Sequence, residues 1–207
     1  DGTLEILDRY VAKFPDNFFV DRSVPKNLGA KRSFLSLMKT VSSVLTSNKS
    51  SIENILILFS DQDDIWDNDK LKHLVSVFVE NDLTRGEPLL IHTDLELIDE
   101  CGRSIAPSME KYQGLFVSYT SLLNQTISNS VTGCTMAINI CLLEKALKMG
   151  PDAVMHDWWI SMVASAFGKR IYLKSPLVRY RQHNNNTIGA TPIEEVRSLK
   201  RSVLKFF

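Results

Sequence analysis

Three aspartates crowd the segment Ser60-Asp61-Gln62-Asp63-Asp64, which follows directly on the apolar run Ile55-Leu56-Ile57-Leu58-Phe59. Carboxylates packed this tightly repel one another unless a cation offsets their charge. Their hard oxygens suit Mg2+ or Mn2+. An extended backbone turns Asp61 and Asp63 to the same side, so these two are candidate metal ligands. The alternative is a solvated acidic turn in which Asp64 or Asp67 caps the next helix. A second constellation is His156-Asp157-Trp158-Trp159, a carboxylate beside two tryptophans at the head of an apolar stretch. Semi-buried surroundings of that kind keep a carboxyl pKa in a range useful for proton transfer. The competing reading is a helix start with Asp157 as cap and a tryptophan in the core.

The elements that must hold these residues read as an α/β layer architecture. An apolar helical stripe Leu4, Leu7, Val11 and Phe14 opens the chain, capped by Asp1 or Thr3. Residues 18–20 are expected as a short strand and residues 30–45 as a second helix. The run 55–59 is continuous and apolar, as in a strand buried on both faces, and such strands belong mostly to parallel sheets. Ligands of open α/β sheets bind outside the carboxyl ends of the strands, which is where Asp61 to Asp64 fall. A third helix presents Leu71, Leu74, Val75 and Phe78, and residues 88–93 form the next strand. Further on, helices are expected over 115–125, 142–148 and 156–167, with separate strands at 170–173 and 177–181. The order helix, strand, helix, strand predicts a mostly parallel central sheet with flanking helices. Residues 1–190 form that domain, and 191–207 a basic amphipathic helix.

Composition narrows the function classes. The chain has 207 residues with no formal net charge, which disfavours a general nucleic-acid surface. No apolar run is long enough to span a bilayer. Cys101, Cys134 and Cys141 are odd in number and form no Cys-x-x-Cys pair, which fits small buried residues in a reducing cytosol better than a disulfide framework or a structural zinc site. The tail combines Arg197, Lys200, Arg201 and Lys205 with Val196, Leu199, Val203, Phe206 and Phe207. It suits either peripheral contact with an anionic membrane face or packing on its own domain.

Several segments fall in the order of a known family. Ser60-Asp61-Gln62-Asp63-Asp64-Ile65-Trp66 resembles the DxD segment of family 2 glycosyltransferases, especially a bacterial rhamnosyltransferase-like branch. Asp1-Gly2-Thr3 resembles the end of that family's nucleotide-site motif, and Asn27-Leu28-Gly29 its NxG loop. His92-Thr93-Asp94-Leu95, Asn129 to Thr135, His156-Asp157-Trp158-Trp159 and Tyr180-Arg181-Gln182-His183 resemble its later motifs, the last two being the most specific.

The resemblance implies a GT-A fold whose first strand and paired aspartates lie outside this chain. It implies a nucleotide diphosphate sugar donor, with dTDP-L-rhamnose the one suggested, and a polysaccharide or lipid-linked saccharide acceptor at the inner membrane face. Asp61 and Asp63 would hold the metal, Asp63 most directly, with His183 as a metal ligand or diphosphate contact. Asp157 would be the general base of an inverting transfer, and Trp158 would offer a flat surface to a sugar ring. Arg181 would stabilise the leaving diphosphate. Asp1, Asn27, Gly29, His92, Asp94 and Gly133 would line the donor and acceptor pockets, though strand ends and turns alone also account for His92, Asp94 and Gly133. Ser33 stands where the family usually has Asn. Two other classes share some of these features: a metal-dependent phosphohydrolase using the first aspartate as nucleophile, and a non-catalytic nucleotide or saccharide-binding module.

Overall fold

The computed structural model describes residues 2–23, 27–47, 55–81, 86–118, 120–183 and 189–194. The helices are α1 (Thr3–Lys13), α2 (Ala30–Ser47), α3 (Lys70–Asn81), α4 (Met109–Gln113), α5 (Leu122–Ile127), α6 (Ile140–Ala146) and α7 (His156–Phe167). The strands are β1 (Leu56–Leu58), β2 (Ile65–Trp66), β3 (Leu89–Ile98), β4 (Ser104–Ala106), β5 (Ala137–Asn139) and β6 (Lys169–Arg181). A short 3-10 helix, Gly133–Thr135, leads into β5.

The sheet runs in the order β1-β5-β3-β6-β2, with β4 also on β3. It is mixed, which corrects the mostly parallel sheet expected from the sequence. Among the described residues only β3 and β6 pair in parallel; β5 enters antiparallel between β1 and β3. Coverage on both faces makes a strand uniformly apolar whichever way its neighbour runs, so hydropathy did not encode the direction. Because both β1 and β3 oppose β5, they share a direction. The acidic turn after β1 therefore still leaves the sheet at a carboxyl edge.

β3 is the axis of the core, with nine of its ten residues buried. Its side chains alternate between faces. Leu90 joins Met38, Ile138, Leu142, Leu143, Ile160 and Ala164 beneath α2, α6 and α7. Leu89 and Ile91 join Leu74 and Phe78 of α3 on the other face. Farther along the strand, Leu95 and Leu97 pack with Met109, Cys134 and Val178.

Several local expectations change. Residues 18–20 form no strand. The segment expected as a helix over 115–125 is helical only from Leu122 to Ile127. The two late strands are one, β6, which bends through register shifts opposite Asp94. Leu71 and Val75 stay about half exposed, while Lys70, Leu74 and Phe78 form the buried face of α3. The stripe on α1 buries no residue among those described. Most of the basic tail, and Asp1, lie outside the described residues.

Candidate active site

A cleft of about 790 Å3 opens at the carboxyl edge of β1, bounded by α2, the acidic turn, the 127–133 loop and the N-terminus of α7. Asn27, Gly29, Asp61, Asp63, Gly133, Asp157, Trp158 and His183 all line it. These sites are up to 156 residues apart in sequence, from Asn27 to His183.

The acidic turn is pinned by the end of β6. Asp64 Oδ1 accepts the Arg181 backbone N–H at 3.0 Å, and the Arg181 Nε–H donates to the Asp63 carbonyl at 3.0 Å. His183 Nε2 stands 2.9 Å from Asp63 Oδ2. Asp61 and Asp63 are thereby left facing the cleft. Burial, then repulsion from Asp64 and Asp63, pushes the Asp61 carboxyl up to about 6, while Lys70 pulls the other way. Burial likewise raises Asp64. Such a site carries more negative charge than its surroundings offset, and it fits a divalent cation. Asp61, Asp64 and Cys134 also offer ligand atoms within 4.8 Å of one another. Burial holds the Cys134 thiol well above its usual pKa without a metal, and a coordinated metal would displace its proton. Asp63 and His183, 2.9 Å apart, line the cleft beside this cluster.

Lys70 is the residue that the sequence reading passed over. It is fully buried, donates to the Cys134 carbonyl at 2.9 Å and lies 3.6 Å from the Trp66 ring centroid. Burial lowers its pKa to about 8, against the pull of Cys134, Asp64 and Asp61. It is an internal counter-cation for the acidic turn. The signal was present: Lys70 heads the i, i+4, i+8 stripe completed by Leu74 and Phe78, on the face that packs inward.

Asp157 sits in the first turn of α7. Its Oδ1 accepts the Trp158 N–H at 2.6 Å and its Oδ2 the Gly133 N–H at 3.2 Å. Burial pushes its pKa up to about 6; the backbone N–H groups of Trp158, Gly133 and Asp157 itself oppose this, and the charge on Asp61 adds to it. The acidic turn and the N-terminus of α7 line one cleft. Gly133 allows the approach, because a Cβ there would come 2.9 Å from His156 Nε2. His156 cannot easily retreat, being stacked on Phe34 at 4.0 Å with Phe59 at 5.8 Å. The tryptophans divide: Trp158 faces the cleft and donates its ring N–H to the Gln125 carbonyl, while Trp159 donates to the Ala146 carbonyl at 2.9 Å and packs inward.

Three candidates fall outside the lining. His92 is buried against Tyr172, ring centroids 5.0 Å apart, and burial with the nearby Arg170 charge lowers its pKa to about 3, so it is neutral. Asp94 takes the Ser108 hydroxyl at 2.5 Å and the backbone N–H groups of Leu95 and Glu110, organising the start of α4. The Arg181 guanidinium donates to the Asp63, Asp99 and Glu100 carbonyls. On the α2 wall of the cleft, Asn27 Oδ1 accepts the Gly29 N–H at 2.8 Å and Gly29 adopts φ 73°, shaping the turn into α2. Among the described residues, Cys101, Cys134 and Cys141 form no disulfide with one another.

Paired carboxylates beside an imidazole, facing a third, semi-buried carboxylate, form a site equipped for metal-assisted transfer at an oxygen centre. No family model matches the chain. It is similar to a dTDP-rhamnosyl transferase, RfbG of Shigella flexneri, 28% identical over 203 residues that take in 92% of this chain. The match spans 62% of that relative's length. The α/β layers and curled mixed sheet are compatible with a glycosyltransferase-like fold. Among the described residues no helix is long and apolar enough to cross a membrane.

Proposed function

We propose that the chain is the greater part of a glycosyltransferase of GT-A type that moves a sugar from a nucleotide diphosphate to an acceptor hydroxyl. The single observation that carries the reading is the convergence of Asp61, Asp63 and His183 with Asp157 on one cleft, near enough for Asp61 to raise the Asp157 pKa. Asn27 and Gly29 on the same wall suit the nucleotide end. Asp61 and Asp63, with His183, would hold Mg2+ or Mn2+, which when bound offsets charge on the leaving diphosphate.

The chain's own groups do the rest. The Asp157 carboxylate takes the proton of the acceptor hydroxyl as that oxygen attacks the anomeric carbon. Attack from the face opposite the leaving group inverts the centre. A pKa near 6 leaves Asp157 ionised at neutral pH yet more basic than an ordinary aspartate. Trp158 gives the sugar a flat apolar wall. The relative's name suggests dTDP-rhamnose as donor; a growing polysaccharide or lipid-linked saccharide is the acceptor in this reading, used at the cytoplasmic membrane face.

The test is Asp157→Asn in the full-length protein, assayed with dTDP-rhamnose, Mn2+ and a saccharide acceptor. A fall in kcat of roughly 10²–10⁴-fold with donor affinity kept is expected, the range for losing a general base. Near-normal turnover would reject the assignment of the base.

A further inference from the structure

Behind the 127–133 loop lies a cation that the mechanism above does not use. Arg170 is buried on β6. Among the described residues its guanidinium meets only hydroxyls: Nη2 donates to Ser130 Oγ at 3.0 Å and Nη1 to Ser165 Oγ at 3.5 Å. Among those residues its Nε–H has no partner and no carboxylate forms an ion pair with it. Burial lowers its pKa only to about 10, so it remains charged at neutral pH. A buried charge without a counter-ion is costly and calls for an anion.

Ser130 carries that charge to the cleft. Its Oγ accepts from Arg170, which can only donate, and also from Gln125 Nε2 at 3.4 Å. Gln125 is held in turn by the Ser161 hydroxyl, which donates to its Oε1 at 2.8 Å. With both lone pairs of Ser130 engaged, its one hydroxyl proton is left to donate, and no described acceptor takes it. Ser130 lines the cleft. A hydroxyl polarised by a cation behind it is a stronger donor than a serine alone.

The geometry points to an anion subsite in which Ser130, backed by Arg170 and oriented by Gln125, donates a hydrogen bond to a charged oxygen of the ligand, a phosphate or a carboxylate. It rests on the transfer reading only in taking this cleft as the ligand site. The subsite lies on the 127–133 wall and owes nothing to the acidic turn. It therefore holds its anion without a metal.

The test is calorimetric titration of the protein in EDTA with inorganic phosphate and, separately, with glucuronate. Binding of either is expected, weakened by salt. Binding of phosphate alone assigns the subsite to a phosphate group, and of glucuronate alone to an acidic sugar. Ser130→Ala is expected to weaken the bound anion about tenfold, and Ser130→Thr, which keeps the hydroxyl, to restore it. Arg170→Met is expected to do the same as Ser130→Ala, the double variant being no worse than either single one. If Arg170→Met fails to fold, the serine pair decides. Absence of binding by either anion, or wild-type affinity in Ser130→Ala, overturns the subsite. Neither donor nor turnover enters the titration. An active enzyme that binds no anion loses the subsite alone, and an inactive one that binds phosphate loses the transfer reading alone.

Discussion

Replacing Gly133 by alanine tests whether the 3-10 helix tunes Asp157. The new Cβ would stand 2.9 Å from His156 Nε2, inside the distance real Cβ atoms tolerate. The ring is held by Phe34 and Phe59, so the loop must yield instead, drawing the Gly133 N–H away from Asp157 Oδ2, now 3.2 Å distant. That hydrogen bond favours the ionised carboxylate, so losing it raises the pKa. A hydrogen bond to a charged group contributes about 1.5 kcal/mol at the low end of its range, equivalent to about one pKa unit. The Asp157 pKa, about 6 in the native protein, would rise by that amount. The assay is kcat/KM against pH. In Gly133→Ala the acid limb should move up by about one unit, with activity lost at pH 6 and largely regained near pH 8.5. A uniform drop at every pH, with the limb unmoved, would refute the coupling.

Other expectations follow from the same geometry. The native pKa of Asp157 is raised from 3.8 to about 6, so its ionisation opposes folding as pH rises through that window. At about 1.4 kcal/mol per unit this amounts to at most about 3 kcal/mol. Asp157→Asn should therefore raise Tm at pH 7.5 but hardly at pH 4.5, and equal shifts at both would contradict the buried charge. Lys70→Met removes the internal cation beneath Asp61 and Asp64, and should lower stability in urea by roughly 3 kcal/mol and, by leaving the acidic turn more negative, strengthen Mn2+ binding read as quenching of tryptophan fluorescence. Wild-type values for both would exclude its role as counter-cation. Asp94→Ala strips the start of α4 of a carboxylate with three donors. It should lower Tm by several degrees while leaving donor KM within about twofold; a large KM change at constant Tm would place Asp94 at the ligand instead.

The helices and the acidic turn were largely legible in the sequence. The span 156–167 coincides with α7, because a long apolar stretch with Asp157 in its first turn and Gly168 after its last residue carries its own boundaries. Strand direction was not legible. Ile57 pairs with Ile138 of β5, three residues long and far away in sequence, and nothing in the local pattern announces an antiparallel guest between β1 and β3. His92 and Asp94 read as site residues through the motif that His92-Thr93-Asp94-Leu95 resembles, yet β3 runs on to Ile98 and buries both. Lys70 was missed for the converse reason: a lysine heading a helix reads as solvated unless its place on the inward stripe is weighed.

What the sequence alone determined is which side chains could do chemistry: the crowded carboxylates after an apolar strand, and the aspartate at the head of α7. These are local matters of residue type and spacing, fixed along the chain. Only the tertiary structure decided that they share a cleft, that Lys70 and Arg170 are buried cations, and that Gly133 and Asp61 pull the Asp157 pKa in opposite directions. Those are properties of distance and burial between segments remote in sequence, and electrostatic energies depend on separation and dielectric in space rather than on order along the chain.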